Sequence, residues 1–287
     1  LSSLRLTASY GYTGNANNTL SGKLILRYSP SVDNLNSLPY ALPQRAPNPD
    51  LKWEEVRIIN LRMAFELFSR ISGSIDFWRK FSSDVIATGP LAPSSGVSSF
   101  VYNYADLKGN GFEVSLNADI LRGKLVWNAN LGWSYAKTKV DKLLTSLGSK
   151  GRDFINYGLN AVPGQIVHGI SSYRWGGLDP TNGDPIGYLK EEQSKNYNAI
   201  LNDSIQFQRF HGSSIPLHSF FITNSISWKG FSLSFNITGR FKYYYRQPAL
   251  TLGYAATITE TNYSPDYYRR WQKPGDVAEV QKFTVVT

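Results

Sequence analysis

Apolar and polar residues alternate with a period of two along several stretches of the chain. In Leu125–Tyr135, apolar and aromatic residues alternate with Val126 and with Asn, Gly and Ser residues. This pattern is typical of a β-strand whose two faces meet different surroundings. Similar stretches occur at Leu4–Tyr12, Ile59–Leu67, Ile71–Trp78, Phe112–Ile120, Phe220–Trp228 and Phe231–Phe241, with weaker candidates at Lys23–Tyr28 and Lys282–Val286. The pattern predicts an all-β chain with seven clear strands.

The connections between these strands alternate between short and long. The strands themselves run for about ten residues, enough to cross a bilayer at a tilt, whereas ordinary strands have about five or six. Short turns are predicted at Ser69, Arg122-Gly123 and Lys229-Gly230. Long loops are predicted at approximately 13–52, 82–108, 137–218 and 242–280. Outer-membrane barrels have short periplasmic turns and long extracellular loops, so the long loops are predicted to be extracellular.

Aromatic residues gather near the predicted strand ends. Rings at these places are typical of the two interfacial girdles of a membrane barrel. The residues concerned are Tyr10, Tyr12, Trp133, Tyr135, Trp228 and Phe231, with Tyr243, Tyr244 and Tyr245 at the outer end of the last strand. Together, strand length, loop pattern and aromatic positions favour a membrane-spanning antiparallel β-barrel over a soluble sandwich.

Composition agrees with strands that have one apolar and one polar face. The 287 residues are 14% aromatic, yet their mean hydropathy is −0.29. The sequence has no run of about 18 apolar residues, the length a transmembrane helix needs. Cysteine is absent from the sequence, which excludes a disulfide framework and a thiolate metal site. The net charge of +9 is scattered without the dense basic blocks that nucleic-acid binding needs.

The charged residues of the predicted strands fall mostly on their polar positions. A charge that faces lipid is costly, whereas a wet or plugged barrel interior accepts it. We therefore predict that eight charged residues line the lumen: Arg5, Arg62, Glu66, Asp76, Glu113, Asp119, Lys124 and Arg240.

Six segments resemble, in the same order, motifs of the SusC/RagA family of TonB-dependent outer-membrane transporters of Bacteroidetes. The segment NPDLKWE at Asn48–Glu54 is similar to the motif that precedes a barrel strand in that family. The other five segments are Arg70–Trp78, Gly109–Leu116, Tyr173–Pro185, Lys229–Phe235 and Arg270–Asp276. The resemblance covers nearly the whole chain and identifies residues 1–287 as the C-terminal part of such a barrel.

The resemblance implies a bacterial outer-membrane location and a barrel of about 22 strands, of which this chain supplies roughly the last third. The N-terminal plug domain, the TonB-contacting region and the first barrel strands are expected to lie outside this chain. Such a transporter actively imports a large nutrient, an oligosaccharide or in some cases a peptide, and is not an enzyme. A soluble carbohydrate-binding β-sandwich and a passive porin are the alternatives.

The same resemblance implies the partners. They are a SusD-like lipoprotein that covers the extracellular mouth, TonB, the remainder of the barrel with its plug, and outer-membrane lipid or lipopolysaccharide. A dimer of transporter–lipoprotein pairs is also expected. No cofactor and no nucleic acid is expected.

Aromatic residues of the long loops are the candidates for substrate contact, because rings stack on sugar faces. They are Tyr157, Tyr173, Trp175, Tyr188, Tyr267, Tyr268 and Trp271. Trp175 and Trp271 belong to motifs shared across the family. This favours a role in packing, or in docking of the SusD-like lipoprotein that forms the lid, over a role in selecting the substrate.

Other arrangements in the sequence do not support catalysis or metal binding. His168, His211 and His218 lack metal-ligand spacing. Asp179 and Asp184 flank Pro-Thr-Asn-Gly, which departs from the calcium-loop pattern and favours a turn. No catalytic residues and no metal site are predicted.

Overall fold

The structure is a computed structural model that describes residues 1–15, 22–32, 37–90, 94, 96–97, 99–144, 150–155, 161–246 and 268–282. The chain divides into two compact units, which are described separately. The sheet unit comprises Leu1–Leu147, Ala161–His168 and Ile215–Tyr243. The loop unit comprises Gly148–Asn160, Gly169–Ser214 and Tyr244–Thr287.

The strands of both units are numbered together in chain order. They are β1 (Ser3–Asn15), β2 (Ile25–Val32), β3 (Pro39–Arg45), β4 (Glu54–Leu67), β5 (Ile71–Pro90), β6 (Ser99–Leu121), β7 (Leu125–Leu143), β8 (Gly169–Ser172), β9 (Gly187–Leu189), β10 (Glu192–Ser194), β11 (Arg209–Ser213), β12 (His218–Trp228) and β13 (Phe231–Phe241).

The sheet unit is built on a 7-stranded sheet in the order β1-β4-β5-β6-β7-β12-β13. All neighbouring strands are antiparallel. Each of the strands predicted from clear alternation is present in this sheet, and consecutive members of the set are neighbours. The all-β prediction is confirmed.

The register gives the sheet two chemically distinct faces. Residues paired directly across an antiparallel ladder share a face. One cross-strand row consists of apolar residues and a glycine: Leu4, Phe65, Gly73, Leu116, Leu131, Ile222 and Ile237. The neighbouring row on the other face is Ser3, Glu66, Ser72, Asn117, Asn130, Thr223 and Asn236. We call these the apolar face and the polar face.

Tight turns of two or three residues join strands at one end of the sheet, the turn end. Phe68 and Ser69 both have φ of 53°, and Lys229 and Gly230 have φ of 48° and 87°. Positive φ at both central residues matches the twist of the flanking strands in a tight hairpin. The short turns predicted at Ser69 and at Lys229-Gly230 are therefore present. The opposite end is called the loop end.

Several strands extend farther toward the loop end than the sequence predicts. β5 continues to Pro90 and β6 begins at Ser99, so most of the predicted loop 82–108 is paired strand. β7 likewise continues to Leu143. Irregular register between Ser82 and Val85 marks the start of the extension. Apolar alternation is weak here because, in our interpretation, neither face contacts lipid, while the backbone ladder persists.

A small buried cluster supports these extensions. Ala105 and Val140 are fully or almost fully buried, and Ala161 packs with them. The Val140 N–H also donates to the carbonyl of Gln165 at 2.9 Å. Burial of this cluster fixes the extended ends of β6 and β7.

The predicted loop 13–52 also contains structure. β2 and β3 form an antiparallel hairpin, which overlaps the weak strand candidate at Lys23–Tyr28. The other weak candidate, Lys282–Val286, lies outside the described residues apart from Lys282, which is not in a strand.

The helices and strands described in the loop unit are short and lie inside the predicted loop 137–218. β8 pairs with β11, and β9 pairs with β10. Two helices, α1 (Gly151–Ile155) and α2 (Tyr197–Asn202), accompany them, and the Asn196 side chain accepts a hydrogen bond from the Ala199 N–H at the start of α2. Over the described residues, no helix is long and apolar enough to cross a membrane.

Candidate functional site

A row of hydroxyl and charged side chains crosses the polar face of the sheet. Direct cross-strand pairing links Arg62 to Asp76 and Asp76 to Glu113. On the other side, Ser219 pairs with Arg240. The complete row is Thr7, Arg62, Asp76, Glu113, Ser134, Ser219 and Arg240. The register therefore places positive and negative groups at one level of the sheet.

Arg62, Ser74 and Asp76 form a small polar network within this face. Arg62 Nε lies 3.7 Å from Asp76 Oδ1. Arg62 Nη2 donates to Ser74 Oγ at 3.3 Å, and that hydroxyl donates to Asp76 Oδ2 at 3.2 Å. Partly exposed ion pairs contribute little to stability, about 0–1 kcal/mol. The network orients the side chains and leaves them available to polar groups in the space above.

The row borders a depression of about 1080 Å³ on the polar face. Its walls carry Arg62, Asp76, Glu113, Ser134 and Arg240. A surface with both signs of charge and several hydroxyl groups suits hydrogen bonding to water, to another polypeptide or to a polar solute.

Seven of the eight predicted lumen residues lie on the strands at polar-face positions: Arg5, Arg62, Glu66, Asp76, Glu113, Asp119 and Arg240. Lys124 instead lies in the turn one residue before β7 begins, so it belongs to the turn end. At that end Asp119 pairs with Arg122, whose guanidinium also donates to the Ser69 carbonyl. The hydrogen bond from Arg122 to Ser69 joins two turns, and the Asp119 carboxylate holds the arginine that donates it.

The aromatic candidates for substrate contact differ widely in exposure. Trp175 is 58% exposed and Tyr268 is 69% exposed, so both rings are accessible in the loop unit. The Arg174 guanidinium lies 4.4 Å from the ring centre of Tyr188 and thereby covers one face of that ring. Tyr157 and Tyr267 lie outside the described residues.

Trp271 is buried, and Tyr173 is half-buried with an enclosed hydroxyl group. The Tyr173 hydroxyl is buried without a hydrogen-bond partner among the described residues, and burial raises the pKa of this phenol. Trp271 is 8% exposed, and its ring lies so close to Gly183 that a Cβ there would clash with it. Both positions favour packing over a direct stacking contact with substrate. The burial of Trp271 agrees with the packing role suggested by its shared motif.

The segment between Asp179 and Asp184 is a turn held by its own carboxylates. Asp179 Oδ1 accepts hydrogen bonds from the Thr181 N–H at 2.7 Å and from its hydroxyl at 2.5 Å. Its other oxygen pairs with Lys195. Hydrogen bonds from Lys195 and then Thr181 lower the pKa of Asp179 well below its usual range.

The turn is also tied to the last described segment of the loop unit. Asp184 Oδ1 pairs with Lys282 Nζ at 2.9 Å, and the Gly275 N–H donates to the Pro180 carbonyl at 2.9 Å. Both Asp carboxylates thus have lysine partners. The described residues contain no group of three His, Asp or Glu side chains that could hold a metal ion.

His211 and His218 have different neighbours. His211 Nε2 lies 2.7 Å from the Ser172 hydroxyl in the loop unit. His218 belongs to the apolar face, where its ring centre lies 4.8 Å from that of Tyr135.

Arg246 has a structural role that sequence reasoning missed. Its Nη1 donates to the Ile155 carbonyl at 2.7 Å and its Nη2 to the Ser171 carbonyl at 2.8 Å. It joins α1 to β8, and no local pattern signals this, because the residues are distant in sequence.

Comparison with known proteins identifies a protein family that this chain matches. Residues 2–188 match the family model described as TonB dependent receptor-like, beta-barrel. The TonB-dependent receptor P39 of Formosa agariphila is 30% identical over 142 residues, which are 49% of this chain and 14% of that protein. The TonB-dependent receptor P3 of the same organism is 33% identical over 98 residues, 33% of this chain and 10% of that protein. The chain thus matches only a small part of each relative's length.

Solved structures show the same fold at low identity. The RagAB peptide importer in its closed-closed state has a TM-score of 0.73 at 20% identity, over 98% of this chain and 32% of that chain. The same importer in its open-open state has a TM-score of 0.72 at 20% identity, and the match covers 99% of this chain and 31% of that chain. Another structure of the RagAB peptide transporter has a TM-score of 0.68 at 22% identity, and the match covers 82% of this chain and 26% of that chain.

Proposed function

The chain belongs to the TonB-dependent receptor-like β-barrel family of the outer membrane, and from this membership we propose that it forms part of the wall of an energy-dependent nutrient importer. The observation that carries the proposal is the separation of the two faces over all strands of the sheet. Apolar rows then face acyl chains, and polar rows face an enclosed passage.

In this proposal the polar face lines the lumen and contacts the plug domain of the whole transporter. The charged row from Arg62 to Arg240 offers partners of both signs to that domain or to a passing solute. TonB acts through the part of the transporter that precedes this chain. The long loops predicted from the sequence are extracellular, and a SusD-like lipoprotein covers them.

An oligosaccharide is the first candidate for the imported nutrient. The exposed rings of Trp175 and Tyr268 suit the stacking of sugar faces. A peptide is the second candidate, because the similar RagAB structures are of a peptide importer and the polar face carries both signs of charge. A dimer of transporter–lipoprotein pairs is the proposed assembly.

The soluble-sandwich alternative conflicts with the exposure of the apolar face. Leu233 is 60% exposed, Phe235 41% and Ile237 49%, although a sandwich would bury these side chains against a second sheet. The passive-porin alternative is disfavoured by membership in a receptor family whose members are TonB-dependent.

Uptake by the whole transporter tests the proposal. Cells that carry the intact gene, a deletion of it or a deletion of TonB are supplied with labelled oligosaccharides or labelled peptides. We expect uptake that needs both genes and stops when the proton gradient is dissipated. Uptake that persists without TonB would identify a passive pore instead. Uptake of the labelled oligosaccharides or of the labelled peptides decides which of the two nutrients is imported.

A further inference from the structure

Basic side chains cluster on the apolar face at the loop end of the sheet. Two neighbouring cross-strand rows place them there: Tyr10, Ile59, Arg79, Asn110 and Lys137 in one, and Tyr12, Arg57, Phe81, Lys108 and Lys139 in the other. We call Arg57, Arg79, Lys108, Lys137 and Lys139 the basic patch. Its residues come from β4, β5, β6 and β7, which are distant in sequence, so the sequence alone does not reveal it.

The basic patch begins where the apolar part of the face ends. On β7, the stretch Leu125–Tyr135 is about 34 Å long at about 3.4 Å per residue. At a strand tilt near 40° this length covers about 25 Å of bilayer, the usual height of the lipid-facing band. The row just below the patch carries aromatic rings, with Phe112 and Tyr135 centred 5.6 Å apart. The patch therefore lies at the level of lipid headgroups.

Positive charge in the patch exceeds the acidic charge beside it. Arg57 Nε lies 3.6 Å from Glu55, and Lys108 Nζ lies 2.7 Å from Asp141. For Arg79, Lys137 and Lys139, the described residues provide no acidic partner within 4.0 Å. Lys108 and Lys139 also sit directly opposite each other, an arrangement that is unfavourable for like charges. An anion bound between them would relieve this repulsion.

The two arginines of the patch are held by an aromatic ring. The guanidinium carbons of Arg57 and Arg79 lie 5.7 Å and 4.9 Å from the ring centre of Phe81. Contacts of this kind restrict long side chains before a ligand arrives. Guanidinium groups donate paired hydrogen bonds to phosphate oxygens, and lysines add positive charge.

The same face also offers space for an acyl chain. An apolar groove of about 420 Å³ is lined by Leu131, Trp133, His218, Phe220, Phe241 and Lys242. Lys242 follows the last residue of β13 at the loop end, so this groove too combines hydrocarbon-like walls with a basic residue at its outer end.

We propose that the basic patch binds the phosphate of an anionic lipid headgroup whose acyl chains lie on the apolar face below. The proposal rests on the membrane orientation given under the proposed function, and it specifies a phosphorylated lipid of the outer leaflet. A lipid fits better than a soluble protein because the patch is continuous with the surface that contacts acyl chains.

Lipid binding by the whole transporter tests the proposal. The protein is placed in phosphatidylethanolamine nanodiscs, and binding of bis-phosphorylated lipid A, dephosphorylated lipid A and inorganic phosphate is measured by native mass spectrometry. We expect the triple variant R79A/K137A/K139A to bind bis-phosphorylated lipid A at least about tenfold more weakly than the wild type. The charge-preserving variant R79K/K137R/K139R should retain binding of bis-phosphorylated lipid A.

Two single variants are matched controls. Lys80→Ala removes a basic residue beside Arg79 on the opposite face, and Lys229→Ala removes one at the turn end. Both should bind lipid A as the wild type does. Heat-modifiability on gels verifies that each variant is folded.

Any of four results would overturn the proposal. The first three are equal binding of the phosphorylated and dephosphorylated lipids, equal losses in the triple variant and in Lys80→Ala, and tight binding of inorganic phosphate alone. The fourth is a triple variant that loses the lipoprotein partner but binds lipid A as the wild type does. This result would identify the patch as a protein interface. Selective lipid binding without nutrient uptake would contradict the importer and leave the lipid site intact.

Discussion

Leu116 and Asn117 are adjacent in β6 but lie on opposite faces of the sheet. Leu116 pairs with Leu131 on the apolar face, whereas Asn117 pairs with Asn130 on the polar face. We expect Leu116→Arg to destabilise the barrel of the whole transporter by about 2–4 kcal/mol, because its charge enters the middle of the lipid band. Heat-modifiability on gels across a denaturant series measures the loss.

Asn117→Arg is the matched control, since the same charge then enters the polar interior. It should be tolerated better than Leu116→Arg. Equal losses for the two variants would show that the assignment of lipid and lumen faces is incorrect.

Other residue-scale contacts lie beyond what alternation predicts. A Cβ at Gly111 would clash with the Tyr135 carbonyl and the Trp78 ring, so only glycine allows this close approach. The polar-face positions of Arg62 and Asp76 follow from period two, but their link through the Ser74 hydroxyl does not. Alternation fixes the face of a residue, whereas contacts depend on the register between strands.

At the scale of elements, the bilayer determines how much of each strand the sequence reveals. The strands were predictable where lipid demands an apolar residue at every second position, as in Leu125–Tyr135. The extensions of β5 to Pro90 and of β6 from Ser99 lack that demand, so the sequence predicts a loop there. The tight turn at Lys229-Gly230 is predictable because glycine readily adopts the positive φ that such hairpins require.

The turn at Asp179 gives a prediction for the loop unit. Because its folded-state pKa is lowered, the stabilisation by this carboxylate is present above about pH 4, the ordinary aspartate pKa, and is lost as pH falls through the folded-state value. We expect Asp179→Ala to speed amide hydrogen exchange at Thr181 and Gly183 at pH 7. The difference from the wild type should shrink as the pH is lowered below about 4.

Glu192→Ala is the control for this prediction, because it removes an exposed acidic residue of the same unit. Its exchange at Thr181 and Gly183 should match that of the wild type. A difference between Asp179→Ala and the wild type that stays constant at low pH would contradict a role for the ionised carboxylate.

At the scale of the whole molecule, the apolar and polar faces require a closed structure. β1 and β13 are the two edges of the sheet and do not pair with each other. Each edge leaves backbone N–H and C=O groups without ladder partners, and such groups cost several kcal/mol each in hydrocarbon. We infer that further strands of the barrel supply these partners, since this chain covers 32% of the RagAB chain whose fold it shares.

We therefore expect residues 1–287 on their own to form no heat-modifiable barrel in detergent or liposomes. Production of the preceding part of the transporter as a separate chain in the same cells should restore a heat-modifiable, protease-resistant complex, because β1 and β13 then find partners. A heat-modifiable band from residues 1–287 alone would contradict this expectation, since it would mean that the two edges close on each other or on a second copy. Cross-linking between cysteines introduced at Leu6 and Ile237 would separate those two closures, because only self-closure links them within one chain.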